Sequence, residues 1–152
     1  MATSNAATTY LEHRLLNFIF KNNAAVSGVT FATPGDTIYV GLATAVSDAE
    51  GSTGSTGFTE ATFGAYARQQ VAASGWTLAS ASTDAQTVTN AANIEFPAST
   101  GTSNTITHVI ITDNSSTGSG NVLFIGQLDT PKTIATGDIF RINAGNLTIE
   151  LK

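Results

Sequence analysis

A chain of 152 residues is long enough for one domain with its own core and short for two. Six Lys and Arg against eleven Asp and Glu give a net charge of −5, which excludes an electrostatic footprint for nucleic acid and disfavours an anionic membrane surface. Cysteine is absent, which excludes disulfides, thiolate metal sites and a cysteine nucleophile.

Charged residues make up only 11% of the chain, against roughly 25% in ordinary globular proteins. Ser, Thr, Ala, Gly and Asn take their place, so the surface is polar through hydroxyls and amides. Few contacts on such a surface are screened by ions, which suits a salt-tolerant β-protein of a virion or other extracellular setting.

Residues 1–9 are small and polar and are expected to form a flexible N-terminal arm. They have neither the basic start nor the apolar run of a signal peptide, so export by a leader is not expected. Thr9-Tyr10-Leu11-Glu12 fits a capping box. Leu11, Leu15, Phe18 and Ile19 then form an apolar stripe, widened by Leu16 and Phe20. A helix over about 10–22 follows, stopped near Asn22-Asn23.

Beyond the helix the apolar period becomes two. Pro34-Gly35-Asp36 turns into a strand over 37–44, with Ile38, Val40 and Leu42 on one face. Residues 47–57 contain no packing residues and read as a long flexible loop. Strands are expected near 66–73, 76–80, 86–88 and 94–96. Thr105–Thr112 is the strongest by β-branching. The run 113–120 is a hairpin-type connection into a strand over 121–128. Pro131 and Gly137-Asp138 punctuate the end, before strands at 139–143 and 147–151. The pattern predicts a mainly β chain, an antiparallel sandwich or barrel (jelly-roll-like) with one N-terminal helix, as a single domain over 10–152.

The candidate chemistry is thin. His13 is expected on the solvated side of the helix, and His108 inside a strand, half exposed. Two distant histidines without a third ligand do not make a zinc site. The acids form no EF-hand loop, and turn chemistry accounts for Asp113-Asn114 without calcium. No nucleophile elbow, Walker loop or dinucleotide fingerprint is present. No catalytic residue, cofactor or metal is therefore expected. Arg68, within Phe63-Gly64-Ala65-Tyr66-Ala67-Arg68-Gln69, has two readings: an edge-strand charge that blocks aggregation, or an anchor between subunits.

Several segments together resemble a family of small tailed-phage virion structural proteins, labelled tail-fibre or capsid-cement-like. They are Tyr10-Leu11-Glu12 with Leu15-Leu16-Asn17, Ile38-Tyr39-Val40-Gly41-Leu42, Gly64-Ala65-Tyr66-Ala67-Arg68-Gln69, Leu123-Phe124-Ile125-Gly126 with Thr130-Pro131-Lys132, and Ala144-Gly145-Asn146-Leu147-Thr148. Many members of that family carry Gly-Gly-Tyr-Ala-Arg, where this chain has Ala65 in place of the second glycine. The resemblance implies a non-enzymatic virion component. The main expectation is a capsid decoration (cement) protein on the capsid exterior, bound to the major capsid protein and to copies of itself as a dimer or trimer. The alternative is a tail or tail-fibre component touching tail proteins or a host receptor through the loops at 47–57 and 113–121. Tyr10, Phe63, Tyr66 and Arg68 are the expected interface residues. Neither nucleic acid nor membrane is an expected partner.

Overall fold

The N-terminal helix is present as α1, Thr9–Lys21. A computed structural model describes residues 9–21, 25–26, 29–30, 38–49, 52, 55–79 and 86–151; within α1 the side chains are described from Leu15 onward. The strands follow as β1 (Ala25–Val26), β2 (Val29–Thr30), β3 (Ile38–Val46), β4 (Phe58–Glu60), β5 (Gln69–Val71) and β6 (Trp76–Leu78). Then come β7 (Gln86–Asn90), β8 (Ile94–Glu95), β9 (Asn104–Thr112), β10 (Val122–Ile134), β11 (Arg141–Ile142) and β12 (Thr148–Leu151). The chain is thus mainly β, with one helix near its N-terminus and antiparallel sheets. It divides into two compact units. One comprises Met1–Asp36, Ala72–Asn93 and Asn143–Lys152, and the other Thr37–Val71 and Ile94–Ile142.

The first unit holds α1, the β1–β2 hairpin and the sheet β12-β7-β6. The helix packs on β6 and β7 through Leu16 and Phe20, both buried, and the Phe20 ring meets Trp76 edge-on at 4.7 Å. Leu15 is 36% exposed, so the buried stripe is rotated by one residue from the expected one. Five apolar residues among 15–20 left the inward face ambiguous, and packing chose it. Lys21, in the last turn, donates to the carbonyls of Trp76 (2.7 Å) and Ala73 (3.2 Å). On β7 the inward positions are Gln86, Val88 and Asn90. Asn90 ties down the turn before β12: its amide donates to Ala92 O and Asn143 O, and its Oδ1 accepts from Leu147 N–H.

The second unit holds the pair β11-β8 and a sheet ordered β10-β9-β3-β4, with β5 also pairing with β3. β3 is central. Tyr39 pairs with Thr112 and Ala43 with His108 on one side. On the other side β5 covers Ile38–Val40 and β4 covers Ala43–Val46. Ile38, Val40, Leu42, Val109, Ile110 and Ile111 are all buried, as expected of a strand pair closed in by neighbours. Phe63, Tyr66, Phe96 and Phe140 add an aromatic cluster, in which Tyr66 stacks on Phe96 at 6.1 Å. Among the described residues this sheet is open and does not close as a barrel. Three-residue strands at one edge and an irregular β10 at the other give no matching edges to join.

Pro131 does not end its strand. Register passes from Gln127↔His108 directly to Lys132↔Ile106, so 128–131 form a bulge opposite Thr107. A proline lacking its N–H is tolerated there, on an edge strand at a bulge.

Candidate functional site

β4 and β5 lie along the same side of β3, and the chain between them leaves the sheet. That excursion brings Glu60, Tyr66 and Arg68 together. At the seam, Leu42 lacks a strand partner on that side. Its carbonyl accepts the Ala61 N–H (2.9 Å), and its own N–H donates to Tyr66 Oη at 2.9 Å. A Cβ on Gly41 would lie 2.9 Å from Tyr66 Oη and 2.8 Å from Ile110 Cγ1, so the hydroxyl reaches the seam because residue 41 is glycine. Tyr66 Oη in turn donates to Glu60 Oε1 at 2.8 Å. Burial, reinforced by the Glu60 carboxylate, pushes the Tyr66 phenol far above its usual range, so it stays a neutral donor.

Arg68 is 5% exposed and sits beyond Tyr66. Its Nε and Nη2 donate to the two oxygens of Glu60 at 2.7 and 2.9 Å, a bidentate fork. Its Nη1 donates to Asn114 O and Ser119 O, both at 2.9 Å, with Thr112 Oγ1 at 3.3 Å. The guanidinium therefore ties the β4 edge to the loop 113–121, and Gly118 N–H points at Glu60 Oε2 at 3.4 Å. The Asp113 carboxylate accepts from Asn121 N–H and from the Asn121 amide, each at 2.7 Å. Burial by itself raises the Asp113 carboxyl, but these donors and nearby Arg68 more than offset it and hold it below the usual carboxylate range. Gly118 and Gly120 take φ of +74° and +83°, and a Cβ on Gly120 would lie 2.5 Å from Asp113 Oδ1.

The loop thus has a locked base and a bare tip. Residues 115–120 are all exposed, and no hydrogen bond among the described residues engages the hydroxyls of Ser115, Ser116, Thr117 or Ser119. The arrangement offers hydrogen-bonding recognition at a fixed geometry. Within it, the acid and the cation occupy each other.

Of the expected interface residues, Phe63 is 1% exposed and lies in the aromatic cluster, and the polar tips of Tyr66 and Arg68 are directed inward. Arg68 is not the exposed edge charge of the first reading: its side chain is buried against Glu60. The side chain of Tyr10 lies outside the described residues, as do those of His13 and the Thr9–Glu12 capping box. His108 is half-buried on β9, and its Nδ1 is 2.8 Å from Thr107 Oγ1. Turn hydrogen bonds occupy Asp113 and Asn114, and the described residues hold no cluster of three metal-ligating side chains. The loop 47–57, described in part, is pinned at its base, where the N–H groups of Ser47 and Asp48 both donate to Gly57 O. It leaves the sheet from the last residue of β3, whereas loop 113–121 starts beside Tyr39 at the other end. Seven residues of strand, about 20 Å, separate the two bases.

Sequence reasoning missed Glu60 and Asn90. A glutamate in a Thr-Glu-Ala run and an asparagine in an Asn-Ala-Ala-Asn run carry no periodic signal, because only the fold aims their partners at them.

A family model described as Podophage GP4 fiber I protein gp80 matches residues 6–150. A search of curated proteins found no match.

Proposed function

The chain belongs to this fibre I protein family and is a virion structural protein of a tailed phage; from that membership we propose that it works in the tail fibre, without enzymatic activity, and contributes to host attachment. The observation that carries the reading is the extent of the family match, residues 6–150, which takes in both compact units. The loop 113–121 supports it further. A polar tip on a rigid scaffold is a common way to present a binding surface. The capsid-decoration expectation rests on the sequence resemblance alone.

Mass spectrometry of separated heads and tails from purified particles tests the assignment. The chain is expected in the tail fraction, in the low copy number of a fibre. Recovery in heads, at a stoichiometry matching the shell, would return the capsid reading to first place.

A further inference from the structure

A buried ion pair contributes little net stability. Replacing one with apolar residues of similar volume is often neutral or stabilising. Here Glu60 and Arg68, with side chains 7% and 0% exposed, hold a loop that adds no packing residue to the core. Residues 115–120 are Ser-Ser-Thr-Gly-Ser-Gly. What the pair does bond is the backbone at the two ends of that tip. Arg68 holds both shoulders, Asn114 O and Ser119 O, and Glu60 faces the Gly118 N–H.

We infer that the Ser115–Gly120 tip is a recognition surface for a neutral, hydroxyl-rich ligand, a glycan without charged groups, and that Glu60 and Arg68 are its positioning residues. Four hydroxyls without partners among the described residues supply donors and acceptors. No charge lies between residues 114 and 128 to attract a phosphate or an acidic polymer, and Arg68, the cation that the described residues place beside the tip, is bonded to Glu60, Thr112, Asn114 and Ser119. The tip offers no apolar or aromatic side chain to a protein groove. Fixing the tip in advance removes the ordering entropy that a free Gly/Ser loop would lose on binding. This inference builds on the attachment role proposed above.

The test uses the full chain on an array of immobilised neutral and anionic oligosaccharides. Wild type is expected to bind neutral members, with little change on adding salt. Ser116→Ala/Thr117→Ala, at exposed positions, is expected to bind them roughly tenfold more weakly, as the loss of two neutral hydrogen bonds implies. Glu60→Leu/Arg68→Met is expected to remain folded, to exchange the amides of 114–120 faster, and to lose binding as well. A purely structural pair would leave binding unchanged in that double variant. Binding confined to anionic members, no binding by wild type, or full binding by the tip variant would each overturn the inference. If the tip variant kept glycan binding but failed to enter particles, the tip would be an assembly contact instead. The location of the chain in heads or tails is measured separately, so the fibre assignment can fail without this test failing, and the reverse.

Discussion

Arg68 shows how one side chain can organise a region. Its guanidinium spans two oxygens of Glu60 and two loop carbonyls, so truncation leaves a buried carboxylate and two carbonyls without their donor. Arg68→Ala is expected to lower stability by about 3–5 kcal/mol in denaturant unfolding of the isolated chain. Arg68→Lys should recover little of this, because an ammonium cannot reproduce the planar fork. Ala65 poses the opposite case. Its φ of +67° is left-handed, a conformation that disfavours a Cβ by roughly 1–2 kcal/mol. A glycine at this position would adopt that conformation without the Cβ penalty. Ala65→Gly is expected to raise the unfolding free energy by up to about 1 kcal/mol once the greater chain entropy of glycine is deducted, readable as a higher melting midpoint. The Gly-Ala-Tyr-Ala-Arg run was visible in the sequence as unusual. Its meaning was not, since Leu42, Glu60 and Asn114 enter only through the fold.

Among the elements, the hairpin β9–β10 was the most legible. Seven β-branched residues in Asn104–Thr112 and a Ser/Gly run after them specify a strand and a return. Less legible were β4, a three-residue strand of Phe-Thr-Glu, and the stretch 61–68, where strand-like composition serves an irregular excursion. Short edge strands are defined by their partner, not by their own propensity. The loop closing the β9–β10 hairpin carries a pH dependence. Because the Asp113 carboxyl is held below its ordinary 3.8, its contribution is complete above that value and is lost as pH falls through the lowered one. The stability difference between wild type and Asp113→Ala is thus expected to be constant from neutrality down to about pH 4 and to shrink below it. A difference that grew on acidification would contradict the assigned hydrogen bonds.

For the whole molecule, sparse charge has a consequence for salt. Among the described residues, one ion pair is buried and the other, Glu95–Arg141, is about half exposed and contributes at most about 1 kcal/mol. The melting midpoint is therefore expected not to fall between about 0.01 M and 1 M ionic strength, and calorimetry across that range checks it. Composition alone carries that expectation. The sequence by itself also determined the mainly β class, the N-terminal helix, the position of β3 and β9 and the family, because periodicity and turn residues act locally and are written in consecutive positions. Only the tertiary structure decided which face of α1 is buried, how the chain is shared between two units, and that the bulged β10 absorbs Pro131. It also placed Arg68 against the base of the 113–121 loop, bonded to Asn114 O and Ser119 O. Its partners Glu60, Thr112, Asn114 and Ser119 lie 8 to 51 residues away, and contacts across such separations leave no periodic trace in the chain.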